Sequence, residues 1–248
     1  MSGCCFMRAF LFFVSILCGF SAGAEYHLGI QANGSYNTVW NFYDKVSIKK
    51  DAISKRTEKP LFKDSKQRYF TEGENVDGFG WSIGAAFSKP VTSHLKLHSH
   101  LLLGFRSLGV NTELFREDSL ETQQKNISEG KHDFGIKYWN LDLPIFARVP
   151  LPGKTFIDAG LQVSYILKAD LKLDILMMDV KTYAPGFNLG TLLQAGKTLT
   201  VKGHPIDLQF AFILGLTPIL NDDVKDYVTK DLNPKDWILQ LGLSYWIF

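Results

Sequence analysis

No stretch of this sequence carries the roughly 18 consecutive apolar residues that a membrane-spanning helix needs, so a helical membrane protein is excluded. Charge of one sign is missing too. The 27 Lys and Arg against 25 Asp and Glu leave a formal net charge of +2, far from the basic footprint of a nucleic-acid binder. Proline is sparse, at nine among 248 residues, and the apolar fraction is an ordinary 46%. These values exclude a collagen-like, low-complexity or wholly disordered chain. Cysteine is nearly absent: Cys4, Cys5 and Cys18 are all there is. A mean hydropathy of −0.02 by itself suggests a soluble globular protein of one domain, or two small ones.

The N-terminal segment points away from a soluble protein. Arg8 precedes an apolar run from Phe10 to Phe20, and small residues follow at Ala22 and Ala24. This is the order of a secretory signal peptide, with cleavage expected after Ala24. Residues 1–24 are therefore read as the signal and residues 25–248 as the mature domain. All three cysteines fall in the signal, and Leu17 before Cys18 argues against lipoprotein processing. An exported domain without disulfides suits a bacterial envelope better than an animal secretory pathway.

The mature chain has one dominant period, and it is two. Phe79, Trp81, Ile83, Ala85 and Phe87 alternate with Gly80, Ser82, Gly84, Ala86 and Ser88. Similar alternation runs through Leu95–Phe105, Trp139–Ala147, Ile157–Leu167, Leu208–Leu216 and Trp237–Ile247, and more weakly through Tyr26–Ala32 and Phe187–Ala195. Successive strand side chains point to opposite faces, so each segment has an apolar row and a mostly small or polar row. Eight strands result, each near the 9–11 residues of a tilted strand crossing a bilayer. Their connections alternate long and short: residues 40–77, 89–93, 108–133, 149–154, 168–185, 198–205 and 218–235. In an antiparallel meander the long ones then share one end and the tight turns the other, the pattern of outer-membrane barrels.

Volume decides which row faces outward. An eight-stranded barrel has an interior only just wide enough for its own side chains, so the apolar rows, with Trp81, Phe105, Trp139, Phe210, Phe212 and Trp237, cannot all fit there. No charge falls in those rows, whereas Lys96, Arg106, Asp142, Arg148, Asp158 and Asp207 fall in the opposite ones. A charge facing lipid near the midplane would cost about 2–4 kcal/mol. The fold class expected is all-β: an eight-stranded antiparallel up-and-down transmembrane barrel with short periplasmic turns and long extracellular loops. Pro144 lacks a ladder donor, and a bulge is expected there. The chain stops at Trp246-Ile247-Phe248, an aromatic ending similar to the signal read by the barrel assembly machinery.

The order of segments resembles the PorT-like outer-membrane β-barrel family of Gram-negative bacteria. The matching pieces are Leu95–Gly109, Tyr138–Arg148, Phe156–Tyr165, Gly186–Gly190, Gly215-Leu216-Thr217 and the terminal aromatic strand. Where the family often has Gln-Pro-Glu-Leu in its third strand, this chain has His98-Ser-His-Leu101. The resemblance implies location in the cell outer membrane; PorT itself is associated with protein export through the type IX secretion system, while most relatives are uncharacterised barrels. The resemblance brings no catalytic residues with it.

The candidate chemistry is modest. Lys96, His98, His100, Arg106, Asp142, Arg148, Asp158 and Asp207 share the inward rows and are expected to form a luminal polar network, because charges removed from water must find partners. Trp246 and Phe248 form the candidate assembly signal. The first long loop carries a mixed-charge tract whose cations, Lys49, Lys50, Lys55, Arg56, Lys59, Lys63, Lys66 and Arg68, could bind lipopolysaccharide phosphates or a surface partner. Phe42, Tyr43, Tyr69 and Phe70 flank it as girdle candidates. Asn33-Gly-Ser and Asn126-Ile-Ser match the glycosylation pattern without meaning in a bacterial envelope, and Asp222, Asp223 and Asp226 lack metal-loop spacing. The function expected is a non-enzymatic barrel with a filled lumen, serving a structural, binding or secretion-associated role. A barrel hydrolase acting on lipid A or phospholipid through His98 and His100 is the alternative, and a small-solute pore a further one. No cofactor, metal or nucleic acid is expected. The partners would be outer-membrane lipid, lipopolysaccharide, the assembly machinery and a secretion-system protein, around a monomeric barrel.

Overall fold

The computed structural model describes residues 26–40, 45–48, 68–73, 77–118, 125–173, 176–179, 186–218 and 235–247. Its strands are β1 (His27–Trp40), β2 (Lys45–Ile48), β3 (Arg68–Gly73), β4 (Asp77–Thr92), β5 (Leu95–Asp118), β6 (Lys125–Leu151), β7 (Thr155–Leu173), β8 (Leu176–Asp179), β9 (Phe187–Val201), β10 (His204–Gly215) and β11 (Lys235–Trp246). Eight of them close a ring, β1-β4-β5-β6-β7-β9-β10-β11, every pair antiparallel and β11 returning to β1. Closure leaves no unpaired edge around the ring, which is the condition for burying backbone polar groups away from water.

Burial alternates along each barrel strand in the phase that the sequence implies. On β11 Asp236, Ile238, Gln240, Gly242, Ser244 and Trp246 are buried while Leu241 and Leu243 stand exposed. The same holds for β1, where Gln31, Asn33, Ser35 and Asn37 turn inward and Leu28 and Ile30 outward. The tight turns at the other end need backbone that most residues avoid. Lys202 and Gly203 link β9 to β10 with φ of 51° and 87°, the two positive angles of a hairpin turn matched to strand twist. The β6–β7 link, Pro152–Lys154, is a single 3-10 turn with Gly153 at φ 75°.

Three expectations need correction. Residues 108–133 are not a loop, since β5 runs on to Asp118 and β6 starts at Lys125. There β3 adds to the free side of β5, and β2 to β3. Residues 168–185 likewise begin as strand, with β7 reaching Leu173 and pairing with β8. Alternation marks only the stretch where one face must be apolar; beyond it a strand still pairs through its backbone without that pattern. The bulge expected at Pro144 is also absent. Pro144 stays in register opposite Gln162 of β7, and the β6–β7 slip lies instead at Trp139/Asn140, with Leu167 of β7 as the extra residue. Toward β5, the two pairs missing from the ladder are His100 with Pro144 and Leu101 with Leu143. Both would require a Pro144 N–H to the His100 carbonyl. The sheet thus absorbs the proline by omitting one bond and keeping its register.

Candidate functional site

The buried chemistry of the chain is in the barrel lumen, where side chains stack in layers. Nearest the turns, Arg148 of β6 clamps Asp158 of β7 with its Nε and Nη2, both at 2.9 Å. Its Nη1 reaches Asp207 of β10. The guanidinium lies over the Phe156 ring, 3.4 Å from the centroid. Asp207 also accepts from Thr198 Oγ1 at 2.6 Å and from Trp246 Nε1 at 2.9 Å. Asp158 accepts from Gln194 at 2.6 Å, and the same amide donates to Gln209 at 2.7 Å. A planar fork with donors on two edges suits two carboxylates at once, and neither is left in the low-dielectric interior without partners.

The next layer is built on Phe146. His98 stacks on its face with centroids 5.3 Å apart, and His100 meets it edge-on at 5.0 Å. Trp246 packs edge-on to His98 at 5.4 Å. His98 Nε2 shares a hydrogen bond of 3.1 Å with Ser88 Oγ, while His98 Nδ1 and His100 Nε2 have no protein partner. His100 borders a cavity of about 10 Å³ beside Gln31, Gln194, Gln209 and Gln240, the size that holds a single water. On the opposite wall Ser244 donates to Gln31, Gln31 to Asn33, and Asn33 to Ser82 Oγ at 2.9 Å.

Toward the loop end, Phe146, Leu192, Ile213 and Ile238 form an apolar cluster inside the barrel. Beyond it lies a second charged layer. Arg106 of β5 pairs with Asp142 of β6 at 2.8 Å and reaches Asp236 of β11 at 3.7 Å, while Ser164 donates to Asp142. Val39, Leu108, Tyr138, Ile166 and Ala169 then close the lumen as another apolar cluster. The inward rows are therefore more apolar than their glycines and serines suggest, since two of the layers are hydrophobic.

Of the eight network candidates, seven are buried in the lumen and five are joined by ion pairs. Lys96 is the exception to the expected pairing. It is only half-buried, and it makes no ion pair with Asp142, Asp158 or Asp207. As the first inward residue of β5 it stands at the barrel mouth, where water can solvate its ammonium. Asp236 and Trp246 are among the participants beyond these eight. Asp236 lies just before the strand start assigned at Trp237, in phase with Ile238 and Gln240. Trp246, considered only as a terminal signal, places its indole in the lumen against Asp207. Phe248 and the cations Lys49, Lys50, Lys55, Arg56, Lys59, Lys63 and Lys66 lie outside the described residues, as do Phe42, Tyr43, Asp222, Asp223 and Asp226. Arg68 opens β3 opposite Glu117. Asn33 is buried and bonded to Ser82, so it is no modification site.

Neither histidine is hydrogen-bonded to a carboxylate, and both are buried in the lumen against the Phe146 ring rather than presented to the exterior where a lipid-cleaving site would need them. Among the described residues no three His, Cys, Asp or Glu side chains converge as a metal site.

The exterior is the complement of the lumen. Phe79 is 72% exposed and Leu241 66%, and the outward rows are apolar through the middle of every barrel strand. Aromatic side chains gather toward the loop end. Trp81, Phe105 and Trp139 form one cluster with centroids 5.4–6.5 Å apart. Tyr36 packs on Phe79 and Trp237 in another. Tyr26, Phe87 and Tyr245 lie toward the turns. Among the described residues the outward charges of the barrel strands lie toward the two ends: Lys89 and Lys197 near the turns, and Asp77, Lys137, Lys168, Asp170 and Lys235 near the loops.

No family model and no curated protein matches the chain. Among solved structures it is similar to Ail, the attachment invasion locus protein of Yersinia pestis, at 11% identity and a TM-score of 0.39, covering 90% of this chain and 99% of that one. Neisserial surface protein A matches at 12% identity and a TM-score of 0.42, again over 90% and 99%. The outer membrane protein OprG from Pseudomonas aeruginosa matches at 12% identity and a TM-score of 0.35, over 89% and 96%. Likeness at this level assigns neither ligand nor partner to the present chain.

Proposed function

We propose that the protein is a non-enzymatic outer-membrane β-barrel of a Gram-negative envelope whose lumen is a packed core. Its external work falls to the extracellular extensions of its strands. The observation that carries this reading is the closed ring with its charges inside and its apolar rows outside, the inverse of a soluble barrel. An aqueous protein would expose this entire apolar belt to water at a cost proportional to its area. The dimensions agree with a bilayer. Tyr245 and Trp237 on β11 are eight residues apart, roughly 27 Å along a strand and roughly 20 Å along the axis at a typical tilt. A secretion-associated role, as the resemblance to PorT-like barrels implies, is the finer form of the proposal. It gives the sheet formed by β2, β3 and the upper parts of β5 and β6 as the surface a partner would meet.

The test is fractionation followed by gel migration. The protein should be found in outer membranes and should run faster unheated than boiled, because a closed barrel resists detergent unfolding. Recovery as a soluble, detergent-free monomer would overturn the membrane assignment. Crosslinking in native membranes would separate the two forms of the proposal, since a secretion component yields defined adducts and an isolated barrel does not.

A further inference from the structure

Charge on the outer surface at the loop end is unevenly distributed. On the face made by β4, β1 and β11 the outward charges at this level are mixed: Asp77, which accepts a hydrogen bond of 3.0 Å from Tyr36, and Lys235, which lies opposite Trp40. On the face made by β6 and β7 they are mainly basic. Lys137 lies opposite Asp170, and Lys168 lies opposite Trp139. Lys168 stands outward because of the β7 bulge, which inserts Leu167 and turns two successive residues to the exterior. Its side chain is 58% exposed and its ammonium is 2.7 Å from Asp170. The two lysines are diagonal neighbours on adjacent strands, a separation of roughly 7–8 Å.

Directly beside them lies the aromatic patch of Trp81, Phe105 and Trp139. Phe105 pairs across the ladder with both Trp81 and Trp139, so the cluster spans β4, β5 and β6. Below it toward the turns the surface is aliphatic, with Ile83 49%, Leu103 40% and Leu161 48% exposed. Cations at headgroup height, rings at the interface and an aliphatic wall beneath form the vertical profile of an anionic lipid with several acyl chains. The loop end is the extracellular end in this topology, so the facing leaflet is the one occupied by lipopolysaccharide.

We infer that Lys137, Lys168 and the Trp81–Phe105–Trp139 platform form a binding site for the phosphorylated, multiply acylated lipid A moiety of lipopolysaccharide. The inference rests on the outer-membrane reading above. A lysine ammonium is a point donor well suited to phosphate, and tryptophan is favoured at the boundary between headgroups and chains. Three aromatic rings across three strands offer a broader platform than a two-chain phospholipid requires.

The experiment expresses the full chain in a Gram-negative host, extracts it in mild detergent and measures lipid A retained per protein. It compares the wild type, the double variant Lys137→Glu with Lys168→Glu, and the control Lys154→Glu in the β6–β7 turn. Heat-modifiable migration of each sample reports folding independently. The double variant should retain about tenfold less lipid A, and the control should match the wild type. In a second arm, vesicles of phosphatidylglycerol should not displace the retained lipid, while added lipid A should. Equal retention by a correctly folded double variant, or displacement by phosphatidylglycerol, would overturn the site. Absence of the wild type from the outer membrane would instead overturn the reading on which the site rests. If the double variant fails to fold, Lys137→Gln with Lys168→Gln carries the same comparison.

Discussion

Arg148 concentrates more of the lumen's electrostatics than any other described residue, because it alone offsets both Asp158 and Asp207. Removing it would leave two carboxylates facing each other away from water. Arg148→Leu should therefore cost about 3–5 kcal/mol, read as a lower urea midpoint for the barrel folded in detergent. Adding Asp158→Asn and Asp207→Asn to that variant should recover most of the loss, since the charges that needed compensation are then gone. Arg106 occupies a similar position between Asp142 and Asp236, but its second contact, at 3.7 Å, is looser. These pairs were legible as a set in the sequence because the residues share the inward phase of strands that an apolar row identifies. Which arginine meets which aspartate was not legible, since it depends on the stagger between strands. Lys96 shows the limit: phase predicted that it faces inward, but only its height in the barrel explains why it needs no carboxylate.

At the scale of the element, periodicity stops being informative where the outward apolar belt ends. The eight barrel strands were readable because each carries an outward apolar row. Above that height β5 and β6 continue, and β3 joins the exposed side of β5, in sequence that carries no such row. The β7 bulge was missed for a related reason. An extra residue at Leu167 merely looks like one more apolar position at the end of a strand, whereas Pro144 advertises a disturbance that the sheet in fact tolerates. Restoring the missing donor tests that account. Pro144→Ala should add one hydrogen bond to the His100 carbonyl and stabilise the barrel by about 1 kcal/mol. The new amide at position 144 should also be protected from hydrogen exchange. Rapid exchange there would mean that the two strands are splayed rather than short of a single donor.

At the scale of the whole molecule, the stacked layers make the barrel a solid cylinder. Two apolar clusters and two ion-paired layers fill the lumen in turn, so the purified protein should give no stepwise conductance in a planar bilayer; reproducible channels would mean that the layers rearrange. The way the ring is closed has a kinetic consequence as well. The hydrogen bond from Ser244 to Gln31 joins positions 213 residues apart, and the β1–β11 seam pairs Gly29 with Trp246 and Trp40 with Lys235. No hairpin formed earlier can substitute for that seam. Until it forms, an incomplete sheet offers two open edges and an apolar face to any neighbour. Such non-local closure is slow and exposes the chain to aggregation. The fold is therefore completed in a single late event, its last strand meeting its first.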